Sequence, residues 1–383
     1  MPKAPLLKGL LLPIGEIPLD SIHPDPNISC TKKDLKTITS YNLLPKKEKS
    51  MVVPGTPSIY KPPTTPMHIP PDAGKYILDP NSLIFPNCTL EPLLRAISIT
   101  TTTTTGKPKV NLTTTDLITD RRNLRLLLSF VSSSKKPFRI DVEVIHSTVL
   151  LSLWTSSKTN FVGQFQGYGH SFEKASTWNP RYIRGSIIHN RAVRYTLGGI
   201  HILLRYEVDA CMPGKPPPPA HTSTSTTPTN TNHQSPTGIR VINSGTLVHP
   251  NRIIEIKTGP VSKRLDNSKN LEQMWFSHTP ILCTGQYQPD GMFLPARAQN
   301  MEKEGRLEQW ERDNEEKIRR LVRVLEMVFE VVRGVPHRCA LVHDGDGVLR
   351  VYQVDENAKG GLGRGISNYF HLPYSRDIYN HHV

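Results

Sequence analysis

Two triplets, Glu207-Val208-Asp209 and Glu255-Ile256-Lys257, each follow an aliphatic run: Ile202-Leu203-Leu204 before the first, Ile253-Ile254 before the second. Such runs read as strands bound for a core. Residues i and i+2 of a strand face the same side, so each triplet presents two ionisable groups together. Charge in apolar surroundings is expensive unless it is paired or bound to a metal. The pattern therefore asks for two neighbouring strands whose charged groups answer one another. Three carboxylates converging on one face suit a hard divalent cation such as Mg2+ or Mn2+, which takes oxygen ligands. The lysine beside them is placed to orient a metal-bound water and to stabilise charge developing on a phosphate. The plainer alternative is a pair of surface strands joined by salt bridges.

The rest of the chain gives these strands a setting. Phe138, Ile140, Val142 and Val144 alternate with charged residues, as in a half-buried strand, and Val149–Trp154 reads as its neighbour. Val193–Leu197 and Ile200–Ala210 meet at Gly198-Gly199, a hairpin dipeptide. Arg252–Thr258 and Ile281–Tyr287 are further strands. Cys339–His343 and Val348–Gln353 flank Asp344-Gly345-Asp346-Gly347, a second hairpin signature. Thr119 or Asp120 is placed to cap a helix with Leu124, Leu127, Leu128 and Val131 on its apolar face. Met301–Arg333 reads as one long packing helix, with Ile318, Leu321, Val322, Leu325, Val328, Phe329 and Val332 at helical spacing. Strands clustered in mid-chain with a long helix after them predict an α+β, or mixed α/β, body.

Proline marks what lies outside that body. There are 34 in 383 residues, nearly twice the ~5% of average usage. Residues 1–70, punctuated by Pro and Lys, are expected to form an extended arm with no domain of its own, and residues 71–375 a single domain. Thr100–Thr105 reads as an exposed low-complexity loop. Residues 213–238 hold four consecutive prolines and a Ser/Thr/Asn run, too polar to offset the entropy of ordering by burial, and predict a disordered insertion.

Charge and cysteine usage narrow the function. Lys and Arg number 47 against 33 Asp and Glu, a net charge of +14, which favours a polyanionic partner, or an acidic membrane surface, over an acidic protein. No apolar run approaches the ~18–20 residues of a spanning helix, so a membrane role is not expected. The N-terminal leucines are interrupted by Pro5, Lys8 and Pro13 and lack the pattern of a secretory signal. Five scattered cysteines without a CxxC spacing predict reduced thiols and no zinc site. GxxxxGK[ST], GxSxG and HExxH motifs are absent, and Gly360–Gly365 has too little chain after it for a dinucleotide-binding unit.

An acidic strand followed by Glu-x-Lys is similar to the PD-(D/E)xK nuclease signature. Upstream stands Gly169-His170-Ser171-Phe172-Glu173. Gly-x-x-Phe-Glu, Glu-x-Asp and Glu-x-Lys in that order resemble the successive motifs of the DXO-type decapping nucleases, the family that includes the fungal partner protein of the nuclear 5′–3′ exoribonuclease. Leu117-Ile118-Thr119-Asp120-Arg121 resembles that family's early Thr-x-Arg motif. Leu271-Glu272-Gln273-Met274-Trp275-Phe276 resembles the helix that follows Glu-x-Lys, and the likeness spans roughly Leu117–Tyr352. The sequence departs from the family pattern in its long insertion, at Asp120 and Arg122, and at Ser277-His278.

The resemblance implies a central mixed, largely antiparallel β-sheet of PD-(D/E)xK nuclease type flanked by helices. It implies a metal-dependent RNA 5′-end hydrolase that uses Mg2+ or Mn2+, with two ions expected. The ligands would be Glu173, Glu207, Asp209, Glu255 and the carbonyl of Ile256, with Lys257 as the catalytic lysine beside Glu255 and Asp209. Arg121 would contact the RNA 5′ end, and the substrates would be triphosphate, incompletely capped or NAD-capped ends. It further implies a nuclear location and a 5′–3′ exoribonuclease as partner. Arg181, Arg184, Arg191 and Arg194 are candidates for an RNA track, and Trp178 and Tyr182 for base stacking. A DNA nuclease of the same signature and a non-catalytic RNA-binding partner are the rival readings.

Overall fold

The computed structural model describes residues 6–64, 66–102, 110–157, 159–162, 167–214, 238–263, 267–358 and 366–370. It is a mixed α+β body organised on two sheets. The larger has 11 strands. Its edge strand Leu10–Pro18 is followed across the sheet by Val348–Val354, Cys339–His343, Phe138–Ile145, Thr148–Leu153 and Leu117–Asp120. Ile200–Glu207, Ile188–Leu197, Lys33–Leu43, Ser50–Gly55 and Arg240–Gly245 complete it. Most neighbours run antiparallel, but Leu117–Asp120 is parallel to both of its partners. The smaller sheet has eight strands and is centred on Ile253–Pro260 and Ile281–Tyr287, which pair in parallel.

Local sequence explains the best-defined elements. Gly198 and Gly199, with φ of 56° and 86°, supply the left-handed turn between Ile188–Leu197 and Ile200–Glu207. A Cβ at Gly198 would also stand 2.6 Å from Val322 of the Glu315–Val332 helix, so only glycine lets turn and helix touch. Along that helix Ile318, Leu321, Val322, Leu325, Val328, Phe329 and Val332 are all buried, each contributing roughly 1.5–3 kcal/mol. They share one core with the Arg121–Val131 and Asn267–Ser277 helices and with Tyr195, Ile202, Leu204 and Tyr206 of the sheet. The other face of the sheet is covered by the Glu91–Thr102 helix, through Leu93, Leu94, Ala96 and Ile97. All five cysteines are free and buried. No helix among the described residues is long and apolar enough to cross a membrane.

Three expectations need correction. Residues 1–70 are not an arm: Lys33–Leu43 lies inside the large sheet between Ile188–Leu197 and Ser50–Gly55, and Leu10–Pro18 forms the edge. Ile59–Tyr60 and Met67–His68 belong to the smaller sheet. The polar residues that make this segment read as linker are buried with partners. Ser40 Oγ donates to the Pro54 carbonyl at 2.7 Å, and Asn42 Nδ2 to Ser186 Oγ at 3.0 Å. Met301–Arg333 is two helices, Arg306–Asp313 and Glu315–Val332. They break at Asn314, whose side chain donates to the Trp310 carbonyl at 2.8 Å in competition with the helical backbone. The threonine run is helical as far as Thr102, and residues 103–109 lie outside the described residues. So does the insertion, apart from Pro213, Gly214 and Gly238 at its ends.

Candidate active site

The centre lies where the chain crosses from one sheet to the other. Ile200–Glu207 ends in the large sheet at Glu207, and Ala210–Cys211 pairs with Ile253 and Ile254 of the small one. Val208 and Asp209 span the gap. The Val208 amide donates to the His189 carbonyl at 3.0 Å, and the Ile256 amide to Asp209 Oδ2 at 2.7 Å. Asp209 is thus fixed by the backbone of the Glu-x-Lys strand rather than by strand alternation after Glu207, which was the expected reason for its placement. Glu255 and Lys257, within Ile253–Pro260, do share a face, and Lys257 Nζ donates to Glu255 Oε1.

Glu255 is the most enclosed of the carboxylates, at 2% exposure. Arg121, the first residue of its helix, donates from Nη1 to Glu255 Oε2 at 3.2 Å and to Ser277 Oγ at 3.0 Å. Gln273 Nε2 donates to Glu255 Oε1, while Gln273 Oε1 accepts from Arg125 Nη1 at 3.1 Å. Burial pushes the Glu255 carboxyl upward, but Arg121 and Lys257 more than offset this and hold it below its usual range. Burial likewise pulls the Lys257 ammonium down, and Glu255 and Asp209 return it to above its usual value.

The other three carboxylates are held the opposite way. Glu173 is on the Gly169–Ala175 helix, whose buried Phe172 anchors it against the Ile281–Tyr287 strand. A Cβ at Gly285 would come within 2.5 Å of that ring, so the close approach requires glycine. The helix start is fixed by Asp72, which accepts from the Ser171 and His170 amides at 2.8 and 3.2 Å. Burial, then Asp209 and Glu207, push Glu173 up to about 9. Burial and Asp209 push Glu207 to about 7; burial and Glu255 push Asp209 to about 6. The Glu207 side chain itself is exposed.

Four carboxylates thus face two cations. Among the described residues no three His, Cys, Asp or Glu side chains form a ready-made metal-binding group. Glu255 is engaged by Lys257, Gln273 and Arg121, and Asp209 by the Ile256 amide. The donors are nevertheless of the right kind. They are oxygen ligands whose mutual repulsion opposes full ionisation, and a divalent cation would relieve it. Glu173, Glu207, Asp209, Glu255 and the Ile256 carbonyl fit that role.

The basic track is brought in only in part. Arg181 and Arg184 are exposed beside the Thr177–Trp178 strand, with Trp178 and Tyr182 also exposed. Arg191 is fully buried and donates to the Val248 carbonyl at 2.8 Å, so it is structural. Arg194 lies four residues along its strand from Asn190, the partner of Glu207, or roughly 13 Å away. Arg121 is turned inward onto Glu255. From sequence, Gln273 and Ser277 are named without a role at the site, and Asp72 is not singled out. Gln273 and Ser277 lie one helical turn apart, a spacing that puts both on one face of their helix, and this was the available signal.

Over residues 18–360 the chain matches the family described as Domain of unknown function (DUF8563). No curated protein matches it in sequence. Among solved structures, S. pombe Rai1 is similar with a TM-score of 0.56 and 14% identity, over 89% of this chain and 99% of that one. Candida albicans Rai1 in complex with pU5-Mn2+ is similar at 0.54 and 13%, over 89% and 93%. K. lactis Dxo1 in complex with manganese is similar at 0.50 and 10%, over 90% and 96%. The chain belongs to the family described as Domain of unknown function (DUF8563), and it carries the fold of the Rai1 and Dxo1 structures.

Proposed function

We propose that this protein is a divalent-cation-dependent hydrolase acting at RNA 5′ ends, on triphosphate, incompletely capped or NAD-capped substrates. The observation that carries the reading is the meeting of Glu173, Glu207, Asp209 and Glu255 with Lys257 and Arg121 where the two sheets join. Rai1 and Dxo1 structures of the same fold contain Mn2+, and one contains pU5. A cation held by the four carboxylates and the Ile256 carbonyl would supply Lewis acidity toward a water and a phosphate oxygen. Lys257, beside Glu255, orients the attacking water and neutralises charge on the phosphorus oxygens. Arg121 and Gln273 fix the Glu255 carboxylate. The net charge of +14 draws the RNA backbone in a salt-sensitive manner. A nuclear location and cooperation with a 5′–3′ exoribonuclease are part of the same proposal.

The test compares wild type with a Glu255→Ala/Asp209→Ala variant on 5′-triphosphate, NAD-capped and 5′-monophosphate RNA, with and without Mn2+. Cation-dependent release of pyrophosphate or of the cap moiety, lost in the variant, is expected. Identical behaviour of the two proteins on every RNA sinks the proposal. Cleavage of duplex DNA without regard to RNA 5′ chemistry would favour the DNA nuclease.

A further inference from the structure

Beside the acidic centre, Gly74–Ile77 and Thr159–Val162 pair as a two-stranded ribbon separate from both large sheets. Tyr76 of this ribbon lies flat on His170, with ring centroids 4.0 Å apart and planes within 11°. The Tyr76 ring and the His170 backbone are held. Tyr76 Oη donates to the Ala73 carbonyl at 3.1 Å, and the His170 amide donates to Asp72 Oδ2. The Asp72 amide in turn donates to the Gly167 carbonyl at 2.8 Å, tying the ribbon to the start of the helix.

Packing does not account for the pair. His170 is exposed and Tyr76 half-buried, so the stack removes little apolar surface from water. Neither ring has another aromatic neighbour among the described residues. Its position is specific as well. His170 precedes Glu173 by three residues on one helix, which places the two on the same face about 5–6 Å apart. Lys174, one helical turn after His170 on the same helix, is exposed. Aromatic faces with a lysine near them beside an acidic phosphate-processing centre are the ingredients of a single-strand stacking platform.

We infer that the Tyr76–His170 stack is the platform on which the 5′-terminal nucleobase of the RNA rests, one helical turn from the reacting phosphate. The inference rests on the RNA 5′-end reading and adds to it a base-binding position. Stacking accepts any base, so the platform confers affinity and register rather than sequence preference.

The test is fluorescence anisotropy in Ca2+ with two labelled probes. One is a 5′-monophosphorylated oligouridylate, and the other is the same oligomer lacking its 5′-terminal base. Wild type should bind the intact probe roughly 5- to 100-fold more tightly. Tyr76→Ala and His170→Ala should bring that ratio close to one, and Tyr76→Phe should keep it. A ratio unchanged in the alanine variants, or equal loss of affinity for both probes, overturns the platform, since a purely structural role acts on the two alike. Failure of wild type to bind either probe overturns the RNA reading itself.

Discussion

Glu173→Gln gives the sharpest physical test of the acidic centre, because the substitution keeps the shape and removes the charge. The Glu173 carboxyl is raised to about 9 by burial and by Asp209 and Glu207, against an ordinary value near 4.3 in an unfolded chain. Between those values the folded protein holds a proton that the unfolded chain has released. Stability then falls as pH rises through this window, at most about 1.4 kcal/mol per pH unit. From pH 6 to pH 8 the ceiling is near 2.7 kcal/mol, and outward rotation of partly exposed carboxylates reduces it to about 1–2 kcal/mol. Glutamine carries no such penalty. In chelator, Glu173→Gln should be close to wild type near pH 4 and gain on it as pH rises, the Tm gap widening by about 1–2.5 °C between pH 6 and pH 8. Lys32, lowered to about 7 by burial, contributes with the opposite sign, but it is common to both proteins and cancels in the difference. With Mn2+ the order should reverse at pH 8, since the wild type then gains a ligand that the variant has lost. Thermal melts across pH with and without Mn2+ make the measurement. A gap in chelator that is flat with pH, or a variant less stable throughout, would refute the reasoning.

Other perturbations follow from the same contacts. Arg205 is 2% exposed and forks onto Asp120 through Nε and Nη2 at 2.6 and 2.8 Å. Asp120→Ala should therefore cost about 3–5 kcal/mol in urea unfolding, and Asp120→Leu/Arg205→Met should recover part of that; equal losses would count against the pair. Gly285→Ala places a methyl within 2.5 Å of the Phe172 ring and should cost about 1–3 kcal/mol. Phe172→Leu should relieve it, and a neutral single variant would contradict the close approach. Lys257→Met should lower kcat on 5′-triphosphate RNA by about 10²–10³-fold, with Lys257→Arg less affected; unchanged turnover would remove the lysine from the chemistry.

The legible parts of the sequence were those where one period dominates over several turns or strands. The Ile281–Tyr287 strand and both glycine-marked hairpins stand as expected. Reading failed where buried polar residues mimic a linker, as at Thr39, Ser40 and Asn42, whose partners lie far away in sequence or across a turn. It failed again at Asn314, where one side chain divides a continuous apolar stripe. In the site, Glu255 and Lys257 follow from strand alternation; the same reading pairs Glu207 with Asp209, which the Ile256 amide fixes instead, and Glu173 follows from motif order. Gln273, Ser277 and Asp72 act through contacts across the fold that no local pattern records. The inward turn of Arg121 depends on the partners that Glu255 gathers in three dimensions.

The central claim is that four carboxylates form a cation site, and calorimetric titration of Mn2+ into the protein at pH 7 tests it most directly. The account predicts saturable binding with proton release, seen as a dependence on the ionisation heat of the buffer, because Glu173 gives up its proton when the cation arrives. Binding should be lost in Glu255→Ala/Asp209→Ala. Saturable binding that the double variant retains, or no binding by wild type, would contradict it.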